Sequence, residues 1–77
     1  MPTAASFNNR AMAYLKLDKW DSTIEDCNYV LKFESSNVKA LLRRSTALFK
    51  KKKYTDAEKD IQKCLTIEPN NKKALVS

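Results

Sequence analysis

The stretch "VKALLRRSTALFKKKKYTDAEKDIQKCLTIEPNN" (residues 38–71) decides the fold, because it repeats "AASFNNRAMAYLKLDKWDSTIEDCNYVLKFESSN" (residues 4–37) at an offset of 34 residues. Arg10 falls on Arg44, Ala13 on Ala47, Lys16 on Lys50 and Lys19 on Lys53. Further on, Asp26 falls on Asp60, Leu31 on Leu65, Glu34 on Glu68 and Asn37 on Asn71. Where identity fails, character holds, as in Phe7/Leu41, Tyr14/Leu48, Trp20/Tyr54, Val30/Cys64 and Phe33/Ile67. A period of this length marks a helical solenoid, in which one helix pair cannot bury its apolar face alone and stacks on the next.

Each repeat reads as two helices, so the fold class is all-α. The first helices, about 4–16 and 38–51, carry apolar residues at three- and four-residue steps, as at Leu41, Ala47 and Leu48. The second helices, about 20–33 and 54–67, do so with Trp20, Ile24, Cys27, Val30 and Leu31, then Tyr54, Ala57, Ile61, Cys64 and Leu65. Thr3, Asn37 and Asn71 share one repeat position just before a first helix, where their side chains can accept an orphan backbone N–H. Pro69 follows a helix end, a place where its missing N–H is harmless. Residues 1–3 then form a leader and cap, 4–37 and 38–71 the two repeats, and 72–77 the start of a truncated C-terminal capping helix.

Composition supports this division. The chain has 77 residues, no Gly, two Pro and 43% hydrophobic residues, which favours helices joined by short turns over hairpins or phosphate loops. No apolar run approaches the ~20 residues that span a bilayer, and "MPTAASFNNR" lacks the basic and apolar regions of a secretory signal. Cys27 and Cys64 fall on apolar helix faces in no metal-ligand spacing, so they read as packed, reduced thiols of a cytoplasmic protein. Without histidine the chain has no donor set for zinc, and no cofactor is expected. Nor is an enzyme expected: no nucleophile has a base, and no carboxylates pair in a pocket.

A net charge of +6 favours acidic partners. Lys39 and Arg43 in "NVKALLRRS" are four residues apart and share one helical face, either as a solvated surface or as one wall of an anion-binding groove. Arg10 and Arg44 each precede an aspartate, Asp26 and Asp60, by sixteen residues. That duplicated spacing predicts an ion pair between the two helices of each repeat. The run "KKKK" (residues 50–53) spans the turn of the second repeat and reads as a solvated turn. No aromatic residues interleave it to stack bases, and Trp20 and Tyr54 are expected to be packing residues, so nucleic acid and membrane partners are not expected.

The 34-residue pattern resembles the tetratricopeptide repeat (TPR), and the resemblance covers residues 4–77. The family's small residues match Ala11, Ser45 and Ala57, its large apolar positions Phe7, Tyr14, Leu41 and Leu48, and its repeat-end proline Pro69. Departures are Thr23 where the family prefers alanine, Ser35 where it prefers proline, and Arg10 and Arg44 at a usually aliphatic position. The resemblance implies stacked helical hairpins in a right-handed superhelical solenoid. "NNRAMAYLKL" and "VKALLRRS" are further similar to the carboxylate-clamp members, which hold the C-terminal Glu-Glu-Val-Asp tails of heat shock protein 70 and heat shock protein 90. Position by position, that likeness implies Asn9, Lys39 and Arg43 as peptide-carboxylate ligands. "PTAASFNNRA" and "NVKALLRRS" are most similar to members that act in the cytosol in preassembly of axonemal dynein arms.

In such members two further clamp residues come from a preceding repeat, and only Met1–Thr3 precede residue 4 here. The chain is therefore expected to be a segment that binds the tail weakly, at high-micromolar affinity or worse, since each charged hydrogen bond contributes ~1.5–3 kcal/mol. The alternative expectation is a scaffold segment that forms a homodimer through the exposed edge of the first helix, around Phe7 and Met12.

Overall fold

The computed structural model describes residues 4–69, which form four α-helices: α1 (Ala4–Lys16), α2 (Trp20–Phe33), α3 (Val38–Lys50) and α4 (Tyr54–Ile67). The periodicity places these within one residue; α3 ends at Lys50, and Lys51 already caps it. Thr3, Asn71 and the capping segment 72–77 lie outside the described residues. Helix α1 packs on α2, α3 on α4, and α2 and α1 both pack on α3. The two first helices therefore lie side by side, with the hairpins stacked as solenoid units.

Two apolar clusters hold this stack together. Ala11, Cys27, Val30 and Ala40 form one, with Phe7 and Leu31 packed against it. Leu41 and Cys64 form the other, with Leu31, Val38, Leu42, Ile61 and Leu65 around them. Leu31 on α2 touches both clusters, so the second helix of the first repeat joins the two repeats into one core. Small residues at Ala11, Ala40, Ala47 and Ala57 are buried where the helices come close.

Helix ends follow local chemistry. Asn37 caps α3: its side-chain oxygen accepts from the Ala40 N–H at 3.0 Å. Helices α2 and α4 have no side-chain cap bond, but Asp21 and Asp56 in their first turns meet the positive end of the helix dipole.

The turns after α1 and α3 are alike. Lys19 N–H donates to Tyr14 C=O at 2.9 Å and Asp18 N–H to Leu15 C=O at 3.1 Å. Lys53 and Lys52 repeat the pattern with Leu48 and Phe49 at 2.8 and 2.9 Å. This double bond pattern needs a left-handed residue at its centre, and a chain without glycine supplies Asp18 (φ 59°) and Lys52 (φ 64°). Aspartate tolerates that region better than lysine does. Lys52→Gly is therefore expected to stabilise the chain by about 0.5–1 kcal/mol, and Asp18→Gly by less, measured as shifts in urea midpoint.

Candidate peptide-binding face

Asn9 on α1 and Arg43 on α3 occupy the same repeat position on adjacent first helices, and Lys39 lies one turn before Arg43. Asn9 and Lys39 are exposed and Arg43 is half-buried. The difference between the two cations has a physical consequence. Lys39 is a solvated point charge on a flexible stem, whereas Arg43 carries a planar guanidinium that is partly covered by the protein. One of its donors, Nη1, is buried and has no hydrogen-bond partner among the described residues. Leaving a charged donor buried and unpaired costs free energy, and this one could meet an oxygen from outside the chain only after the side chain turns outward.

Beneath this face lies Cys27, with none of its surface exposed. Burial pushes its thiol from 9.0 up to about 12, against the opposing pull of the Arg43 and Arg44 charges. Cys64 is shifted in the same direction, again by burial. Both cysteines are free thiols.

The sign of the resulting pH dependence follows from that shift. The folded state holds the Cys27 proton more tightly than the unfolded chain, so its contribution to stability is whole below pH 9 and lost as pH rises towards 12. The fall in urea midpoint between about pH 8 and about pH 10.5 is expected to be shallower in Cys27→Ala than in the wild type.

The two Arg–Asp pairs are alike in geometry and unlike in setting. Arg10 Nε and Nη2 donate to Asp26 Oδ2 and Oδ1 at 2.8 and 2.7 Å. Arg44 does the same with Asp60 at 2.8 and 2.7 Å. Each pair ties the first helix of a repeat to its second by a forked contact, and the hydrogen bonds from the arginine raise its pKa further above the ordinary value. Side-chain exposure separates the pairs: 54% for Arg10 against 26% for Arg44, with both aspartates at 7%.

Arg44 also has a third bond, from Nη1 to Asn28 Oδ1 on α2 at 2.9 Å, which binds the second repeat to the first. Sequence reasoning missed Asn28, although it precedes Arg44 by the same sixteen residues that separate Arg44 from Asp60. Arg10 instead lies over the rings of Phe7 and Tyr14, 5.1 and 5.8 Å from their centroids.

Other expectations for single residues resolve unevenly. Thr23, read as a softening departure from alanine, is fully buried and donates to Lys19 C=O at 2.9 Å. Its hydroxyl also lies 3.5 Å from Ala11 C=O, so the polar atom meets acceptors at the α1–α2 contact. Met12 is 42% exposed, while Phe7 is half-covered by the Tyr29 ring stacked on it at 4.2 Å. The packing role expected for Tyr54 does not hold. Trp20 is half-buried, but Tyr54 is 55% exposed and meets the equally exposed Phe49 edge-on at 5.2 Å.

Comparison with known proteins gives this face a context. A family description for the tetratricopeptide repeat matches residues 38–71, the second repeat. Sperm-associated antigen 1 of Rattus norvegicus is 46% identical over 71 residues, which is 92% of this chain but 8% of that protein. The chain thus spans a small part of the curated relatives it matches. Among solved structures, the first TPR of Spaghetti (RPAP3), bound to the HSP90 peptide SRMEEVD, superposes with a TM-score of 0.93 at 36% identity. The match covers 96% of this chain and 59% of that one. The second TPR domain of human RPAP3, in complex with the HSP70 peptide SGPTIEEVD, gives 0.91 at 37% identity and covers 97% and 62% of the two chains. With a duplicated 34-residue unit, two stacked helical hairpins and relatives of this closeness, the chain belongs to the tetratricopeptide-repeat family.

Proposed function

We propose that the chain is a non-enzymatic co-chaperone module that binds the acidic C-terminal tails of heat shock protein 70 and heat shock protein 90. The observation that carries the reading is the close likeness to two domains solved with peptides ending Glu-Glu-Val-Asp. The placement of exposed Asn9 and Lys39 and half-buried Arg43 on the adjacent first helices supports it locally. A C-terminal aspartate presents two carboxylates, and taking them out of water is costly unless charged donors meet them. Lys39 supplies a mobile charge, Asn9 an uncharged amide donor from the neighbouring helix, and Arg43 a planar fork for a side-chain carboxylate or a peptide carbonyl.

The finer setting, a cytosolic factor in axonemal dynein-arm assembly, rests on the resemblance of "PTAASFNNRA" and "NVKALLRRS" and belongs to the same proposal. Self-association through the α1 edge gains no support from the relatives or from the fold.

The test is a titration with a peptide ending in a free Glu-Glu-Val-Asp and with the same peptide amidated at its C-terminus. Amidation removes one carboxylate, so affinity is expected to fall at least tenfold, the equivalent of about 1.5 kcal/mol or more. Equal affinity for the two peptides would remove the carboxylate from the account. A protein mass that rises with concentration and falls on adding peptide would restore the self-association reading.

A further inference from the structure

A second surface lies at the turn end of the hairpins, away from the peptide-binding face. The contact between Lys51 Nζ and Asp21 Oδ1 brings the α3–α4 turn against the first turn of α2, so both interhelical turns lie at one end of the molecule. Residues 16–21 and 50–56 together carry six lysines against three aspartates, which concentrates half of the chain's +6 there. Lys51 is answered by Asp21, while Lys50, Lys52 and Lys53 in the second turn are exposed.

Apolar groups stand among these charges. Leu17, at the tip of the first turn, is 66% exposed, and Phe49 and Tyr54 flank the lysine run with more than half their surfaces open. Exposed large apolar residues ringed by lysine are what a protein presents to a bilayer surface. The ammonium groups meet anionic headgroups while the rings and the leucine enter the acyl boundary. No helix among the described residues is long and apolar enough to cross a membrane, so the contact is with the surface alone.

We propose that this end is a peripheral membrane-contact surface that takes the headgroups of an anionic lipid bilayer. The proposal goes beyond tail binding and reverses the expectation of a merely solvated turn, which had Tyr54 hidden in the packing. Lipid is favoured over single-stranded nucleic acid by two observations. Leu17 is an exposed aliphatic side chain, which offers no face for a base to stack on and suits the acyl boundary. All the cations at this end are lysines, point charges suited to mobile headgroups rather than to forked contacts with phosphate.

The experiment is co-sedimentation of the chain with vesicles of phosphatidylcholine alone and of phosphatidylcholine with roughly 30% phosphatidylserine, at low salt. Binding to the serine-containing vesicles only is expected. It should weaken at least tenfold in Lys50→Glu/Lys52→Glu/Lys53→Glu, since each lysine near such a surface contributes about 1 kcal/mol, and it should also weaken in Leu17→Ser/Phe49→Ser. Helicity and tail-peptide affinity report whether each variant is folded, and both should be kept. The proposal is overturned if the serine-containing vesicles are not bound, or if the lysine variant binds them as the wild type does. It is equally overturned if the apolar variant binds undiminished or if a single-stranded oligonucleotide binds more tightly than the vesicles, because a general polyanion site would then be the better account.

Discussion

Asp60→Ala is expected to lower the stability of the chain by about 2–3 kcal/mol, read as a drop in urea midpoint at unchanged slope. Removing one partner of a buried pair costs about 3–5 kcal/mol when the other charge stays sealed from water. Arg44 keeps 26% of its side chain exposed, so water screens part of the loss and the lower figure applies. A domain of this size holds on the order of 5 kcal/mol in all, so the variant should lose roughly half its margin. Asp26→Ala provides the internal control. Its pair has the same distances, but Arg10 is about twice as exposed as Arg44 and has the faces of Phe7 and Tyr14 beside it. The loss there is expected to be clearly smaller. Equal losses at the two sites would mean that burial of the arginine does not set the strength of these pairs.

The second large effect is on binding. In Lys39→Ala/Arg43→Ala, affinity for a peptide ending Glu-Glu-Val-Asp is expected to fall at least a hundredfold, since each charged hydrogen bond contributes ~1.5–3 kcal/mol. Stability should hardly change. Lys39 is exposed, and Arg43 carries a buried donor with no partner, so its removal relieves an unsatisfied group along with its packing. A residue that contributes little to the fold and much to binding is the mark of a site kept for its ligand. Loss of helicity in this variant would contradict that separation.

The fold was legible because its signals are local or periodic. The 34-residue self-match, the three- and four-residue apolar steps and the Asn37 cap each act within one or two turns, and the helices fall within one residue of where the pattern puts them. The Arg–Asp spacing was legible for a related reason: sixteen residues, used twice, joins the same positions of two successive helices. What the sequence hid depends on neighbours that no period encodes. Asn28 answers Arg44 only because the second hairpin lies on α2. Thr23 looks like a weak substitute for alanine until its hydroxyl is placed beside the carbonyls of Lys19 and Ala11. Trp20 and Tyr54 share a repeat position but differ in exposure, a difference that the repeat pattern does not encode.

The candidate site was legible in part. Spacing put Lys39 and Arg43 on one face, and the repeat put Asn9 beside them on the neighbouring helix, but only the structure separates their roles. Arg43 is half-buried with one donor sealed from solvent, and Lys39 is an exposed charge. The left-handed residues Asp18 and Lys52 were equally invisible, since a chain without glycine gives no sign of where its turns need a positive φ.

The most direct measurement is a four-arm titration: wild type and Lys39→Ala/Arg43→Ala, each with the free-acid and the amidated tail peptide. If Lys39 meets the main-chain carboxylate, amidation should weaken the wild type at least tenfold and the variant by clearly less, because the mobile charge that senses that carboxylate is gone. An equal effect of amidation on both proteins would place the carboxylate elsewhere and contradict the binding face described above.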